Sequence, residues 1–142
     1  MAYESTHDAP RAIADYTRAL GLDPSLVIAW YNRGNFRLSS GEIDSALSDF
    51  DETLARKPGF VMAYNNRGIA KVEKGDIKGA LADFTEAIRL DPHLTEAYVN
   101  RGLVRFHEGL KAEAEQDFAQ SIGMKPSLKD FIETRLSQIS QK

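Results

Sequence analysis

The six residues AYNNRG at positions 63–68 have near copies on either side: AWYNRG at 29–34 and AYVNRG at 97–102. The spacing is 34 residues in both directions, and it holds well beyond these stretches. Glycine returns at Gly34, Gly68 and Gly102, and again at Gly41, Gly75 and Gly109. Alanine returns at Ala12, Ala46, Ala80 and Ala114, and an aromatic at Tyr16, Phe50, Phe84 and Phe118. Pro24, Pro58, Pro92 and Pro126 close each period. Such a repeat cannot bury an apolar face alone, so the chain must fold as a stack in which neighbours cover one another.

Each period reads as two helices. The first runs over about Val27 to Ser40, with Trp30, Gly34 and Leu38 at helical spacing. Gly41 supplies the left-handed residue that ends it. The second runs over about Ile43 to Arg56, with Ile43, Ala46, Leu47, Phe50 and Leu54 on one stripe. Pro58 follows where it discourages continuation without breaking the helix. Gly34 and Ala46 allow close approach of the two helices, and Phe50 is placed to fill the gap toward the next pair.

This pattern resembles the tetratricopeptide repeat family, in the form with YNRG and DF signatures. The resemblance rests on Trp30, Gly34, Gly41, Ala46, Phe50 and Pro58, repeated as Tyr64, Gly68, Gly75, Ala80, Phe84 and Pro92. It returns once more as Tyr98, Gly102, Gly109, Ala114, Phe118 and Pro126. The implied fold is all-α, a right-handed superhelical α-solenoid. The expected division is a partial repeat over 1–26, repeats over 27–60, 61–94 and 95–128, and a C-terminal capping helix over 129–142. In the partial repeat, Tyr3 falls in the last turn of an absent first helix. Ala12, Ile13 and Tyr16 then lack cover, which fits either upstream repeats outside this chain or a homodimer surface. In the last helix Phe131, Ile132, Leu136 and Ile139 are expected on one side, and Leu136 stands where the repeats carry glycine.

Composition excludes several roles. The formal charge of −3 argues against bulk binding to nucleic acid or an anionic membrane. No apolar run approaches the roughly 18 residues of a membrane span. The start, MAYESTHDAP, has no signal-peptide pattern, so a cytoplasmic setting is the expectation. The chain has no cysteine. His7, His93 and His107 lack the spacing of a zinc site, and no phosphate-cradling glycine loop is present. No catalytic set, metal or cofactor is expected.

The remaining question is why Asn-Arg-Gly recurs. Every arginine has an aspartate 16 residues on: Arg33 with Asp49, Arg67 with Asp83, Arg101 with Asp117. Ion pairs between helices follow, within one pair or across neighbours, and Asp15 to Arg33 is the cross-neighbour candidate. Arg37, Lys71 and Arg105 form a second basic row one turn further on, of a kind that can bind phosphates. Asn32, Asn66 and Asn100 form a ladder, and an amide that donates and accepts can pair with any peptide backbone. The superhelical part of the O-linked N-acetylglucosamine transferases, which this chain resembles, holds extended peptides with such a ladder. In the family this side of the first helices lines a concave groove. Its candidate lining here is Asn32, Asn66, Asn100, Tyr31, Asn35, Met62, Asn65, Ile69, Glu96, Val99 and Leu103, with a protein or peptide as partner. The other reading of the ladder is that it bonds to neighbouring repeats and orders the stack. The carboxylate-clamp branch of the family is not matched: only Asn35 and Asn66 agree, while Tyr31, Glu96 and Asn100 stand where cations are needed.

Overall fold

The computed structural model describes residues 8–141, so Tyr3 and His7 lie outside the described residues. Among these residues there are eight helices and no strand: α1 (Ala9–Leu22), α2 (Val27–Ser39), α3 (Ile43–Arg56), α4 (Val61–Lys74), α5 (Ile77–Leu90), α6 (Thr95–His107), α7 (Lys111–Met124) and α8 (Leu128–Ser140). None is long and apolar enough to cross a membrane.

The turns follow from glycine and proline chemistry. Gly41, Gly75 and Gly109 have φ of 81°, 88° and 83°, a left-handed conformation that favours glycine. After α2, α4 and α6 the chain then folds back on the last carbonyls: the amides of Glu42, Asp76 and Leu110 donate to the carbonyls of Arg37, Lys71 and Arg105 at 2.8–2.9 Å. Those carbonyls would otherwise lack partners. The antiparallel hairpins α2–α3, α4–α5 and α6–α7 result.

Within each hairpin the helices meet at the Gly–Phe pair. A Cβ built on Gly34 would stand 2.8 Å from Cε1 of Phe50; on Gly68, 2.6 Å from Phe84; on Gly102, 2.5 Å from Phe118. No side chain fits there, so glycine is required by space and not by backbone angle. The same rings also reach the next hairpin. Ala46 and Phe50 cluster with Ala70 of α4, Ala80 and Phe84 with Val104 of α6, and Ala114 and Phe118 with Val99 and with Ile132 of α8. Each aromatic therefore joins three helices, and the core is a chain of small clusters instead of one centre.

Helices α2, α4, α6 and α8 touch one another in succession, whereas α1, α3, α5 and α7 do not. The stack accordingly curves with the first set inside, and its concave face carries the asparagines. Helix α8 takes the next inner position and packs on both α6 and α7. Its packed side is Ile132 with Leu128 and Leu136. Phe131 departs from expectation: it is 50% exposed. Its counterparts one period apart, Ala29, Ala63 and Ala97, are buried. A phenyl ring does not fit the close approach that a methyl group permits, so it is turned out of the helix contact.

Candidate functional site

The three residues of Asn-Arg-Gly point about 100° apart in succession around a helix. Glycine faces its own hairpin partner, as above. Arginine lies beside that contact. Arg33 donates from Nε and Nη2 to Asp49 at 3.0 and 2.8 Å, Arg67 to Asp83 at 2.8 and 2.8 Å, and Arg101 to Asp117 at 3.0 and 2.7 Å. The pairs form within one hairpin. The second basic row ends on the same carboxylates: Arg37 at 3.0 Å from Asp49, Lys71 at 3.0 Å from Asp83, Arg105 at 2.9 Å from Asp117. These cations are committed to buried carboxylates and do not form a free row for phosphates.

The cross-neighbour contact also differs from expectation. The Nη1 group of Arg33 goes to the Thr17 hydroxyl at 3.1 Å, not to Asp15, which is exposed. One period on, Arg67 reaches Asp51 at 3.0 Å, and then Arg101 reaches Thr85 at 3.2 Å. The acceptor sits 16 residues before the arginine, two positions on from the aspartate of its own helix and so on the opposite side, turned toward the next hairpin. Each guanidinium further stacks on the aromatic three residues earlier, Trp30, Tyr64 or Tyr98, at 5.1, 5.5 and 5.8 Å from the ring centre. Asp83 first, and Asp51 after it, hold the Arg67 pKa above its ordinary value. One guanidinium thus ties a hairpin together and ties it to its predecessor.

A stability prediction arises from the unequal acceptors. Thr85→Asp places at Arg101 the carboxylate that Asp51 gives Arg67. Threonine and aspartate have similar helix propensities, so the ion pair decides the sign. The expected gain over Thr85→Asn is about 0.2–1 kcal/mol in urea unfolding, and it should shrink with added salt.

The asparagines, a further step round, are joined in a directional relay. Asn100 Nδ2 donates to Asn65 Oδ1 at 3.0 Å, Asn65 Nδ2 to Asn66 Oδ1 at 3.2 Å, and Asn66 Nδ2 to both Asn35 Oδ1 at 2.8 Å and the Tyr31 hydroxyl at 3.0 Å. Asn65 is 1% exposed, its amide shared between Asn66 and Asn100. Tyr31 is half-buried, its ring 4.6 Å from that of Phe60, and acts as a spacer between hairpins. The interior of the relay is therefore spent on order between repeats. Among the described residues, the amide groups left for a ligand lie at its ends: the Asn100 carbonyl, the Asn35 Nδ2 group and Asn32.

Two hollows lie at those ends. One, of about 360 Å³, is walled by α4, α6 and α8 and brings together Asn65, Asn66, Ile69, Glu96, Val99 and Asn100 of the expected set. It also takes Lys125, Leu128 and Phe131 from the C-terminal part of the chain. Val99 is mostly buried there against α8, and Leu103 lies in the neighbouring hollow with Ile69, Asn100 and Arg135. The other, of about 340 Å³, is polar and lined by Asn32, Asn35, Ser39, Phe36 and Tyr16. Met62 is half-buried on α4 and lines neither. Phe131, Lys125 and Arg135 were missed as groove residues. The available signal was a phenylalanine in a register where the repeats keep alanine.

The tetratricopeptide repeat family model matches residues 1–61 and 65–128. None of the curated proteins matches the chain. Among solved structures, the crystal structure of MamA shares 20% identity over 95% of this chain and 88% of that one, with a TM-score of 0.80. YrrB, described as a protein of this repeat type with an unusual peptide-binding site, shares 26% identity over 94% of this chain and 68% of that one, with a TM-score of 0.76. The second such domain of human RPAP3, solved with the HSP70 peptide SGPTIEEVD, shares 29% identity over 82% of this chain and 96% of that one, with a TM-score of 0.72. The fold is the right-handed all-α solenoid of these proteins, and the chain belongs to the tetratricopeptide repeat family.

Proposed function

We propose that the chain is a protein-interaction module that captures an extended peptide segment on its concave face. The observation that carries this reading is the hollow between α4, α6 and α8, where an open amide carbonyl adjoins apolar wall. The Asn100 carbonyl has no donor among the described residues, and Ile69, Val99, Leu128 and Phe131 surround it. A peptide N–H meets the carbonyl while a neighbouring apolar side chain enters between the rings and aliphatic groups. Glu96 and Lys125 at the rim favour a segment carrying both charges. The peptide-binding site described for YrrB and the peptide complex of the RPAP3 domain support the reading at the level of an interaction module. With a few backbone contacts of about 0.5–1.5 kcal/mol each, micromolar affinity is the expectation.

The test is selection of random peptides on the immobilised protein, followed by titration of the selected sequences. Phe131→Asp and Asn100→Ala are each expected to weaken those peptides about tenfold or more while circular dichroism stays that of the native chain. Asn66→Ala is a poor probe, since it also removes the bonds to Tyr31 and Asn35. Peptides that bind both variants as well as the native chain would overturn the reading.

A further inference from the structure

Helix α8 takes the inner position after α6, yet its seam with the last hairpin lacks the three kinds of contact that join earlier hairpins. The first is apolar: Ile43 and Leu47 cluster with Ala70, and Ile77 and Leu81 with Val104. One period on, these positions hold Lys111, Glu115 and Gln138, all exposed. The second is the arginine row, which crosses each boundary to Thr17, Asp51 or Thr85. One period on, Ala119 stands in the acceptor register of Arg135 and accepts nothing. The third is the asparagine relay, which crosses from Asn66 to Asn35 and from Asn100 to Asn65. In that register α8 carries Thr134, whose hydroxyl donates to the Asp130 carbonyl of its own helix at 2.9 Å. What seats α8 is one apolar stripe of Leu128, Ile132 and Leu136, in which only Ile132 is buried. Beside that stripe, Leu128, Phe131 and Arg135 wall the concave hollows. The polar seam belongs to α7 and α8 themselves, whatever else packs on α8.

We infer that α8 is a hinged wall, which swings about the turn at residues 125–127 to admit a peptide to the concave hollow and then closes on it. The inference rests on the proposed peptide site, because Leu128 and Phe131 form one side of that hollow. Among the described residues no side-chain hydrogen bond or ion pair joins α8 to α6 or α7, so α8 can leave as a unit at the cost of its apolar stripe alone. Helices α2, α4 and α6 do not share this freedom, since each is tied by its arginine to a buried aspartate. Phe131, half exposed on the wall, gains apolar cover when a segment lies between it and α4. A peptide therefore favours the closed position by the contacts it makes there and loses on opening, which is the differential affinity that a shift between two positions requires.

The chain has no cysteine, so Lys78→Cys on α5 and Ser137→Cys on α8, both at exposed positions, carry nitroxide labels at two places only. Double electron–electron resonance on the intact chain without peptide is expected to give two distances. Lys111→Ile, Glu115→Leu and Gln138→Val together restore the apolar contact of the earlier seams. This triple variant is expected to show one distance and to slow amide hydrogen exchange throughout α8 at least tenfold. Valine is a poorer helix former than glutamine, so the slowing does not come from reduced fraying of α8 itself. A single narrow distance in the native chain, or α8 exchange that the triple variant leaves unchanged, overturns the inference. The peptides selected on the immobilised protein test the coupling. At saturation they are expected to reduce the two distances to one, and their association with the triple variant is expected to be at least tenfold slower than with the native chain. Peptides that bind and leave both distances in their native proportions overturn the hinged wall while the groove reading stands. A selection that yields no peptide overturns the groove reading, and closure on a peptide with it, even where two distances are found.

Discussion

Phe84→Ala is expected to destabilise the chain by about 3–5 kcal/mol, a large share of the stability of a small domain. Phe84 is buried on Gly68 of its own hairpin and on Val104 of the next, so its loss opens a cavity shared by three helices. In a stack whose stability sums over repeats and their interfaces, loss at the central link should also broaden the urea transition, seen by circular dichroism as a lower apparent slope. Gly68→Ala tests the same contact from the other side. Alanine is favoured over glycine in a helix interior by about 1 kcal/mol. Its methyl would lie 2.6 Å from the Phe84 ring, which is buried and has no free direction in which to yield. Overpacking of about 1–3 kcal/mol opposes the propensity, so a net loss of up to about 2 kcal/mol is expected. With the ring removed, the sign should reverse: in a Phe84→Ala background, Gly68→Ala is expected to stabilise by about 1 kcal/mol. Equal effects of Gly68→Ala in both backgrounds would refute the steric role of glycine.

That contact was legible in the sequence because it is local and periodic. A glycine, an alanine and an aromatic at constant offsets leave one way of pairing the helices, and Gly41, Gly75 and Gly109 mark where the hairpins turn. The arginine–aspartate pairing was legible too, though not its geometry. Spacing alone did not show that Arg37, Lys71 and Arg105 share the aspartates with the first row, because a row of cations looks the same whether it faces water or a carboxylate. The contact from Arg33 to Thr17 escaped for a similar reason: a neutral hydroxyl gives no charge signal, whereas Asp15 nearby does. The groove was the least legible part. The asparagine ladder was visible, but hydrogen bonds between successive asparagines depend on the tilt of one hairpin against the next, which no periodicity specifies. The wall contributed by Lys125 and Phe131 lies where the period itself gives out.

Asp49→Ala is the second large effect expected. The carboxylate is 1% exposed and accepts from Arg33 and Arg37, and Arg37 Nε already lacks a partner in a buried position. Removing the acceptor leaves two cations partly out of water with no counter-charge, at a cost of about 3–5 kcal/mol. Asp83→Ala should cost less, because Arg67 keeps the carboxylate of Asp51 across the repeat boundary. The order of urea midpoints, Asp49→Ala below Asp83→Ala, checks the cross-neighbour contact as well as the pair. The whole cluster is expected to behave differently from its parts. Replacing Arg33, Arg37 and Asp49 together by leucine or methionine removes the charges along with the need for them, and should restore stability to within about 1–2 kcal/mol of the native chain or exceed it. If the triple replacement unfolds as early as Asp49→Ala, the guanidinium bonds contribute net stability. If it recovers, what the charges contribute is register: a bidentate fork accepts one helix offset, whereas leucine on leucine accepts several. Loss of the sharp native amide spectrum in a stable triple variant would show that the recurrent arginine keeps each hairpin at a single offset, and so keeps the asparagines of the concave face in line.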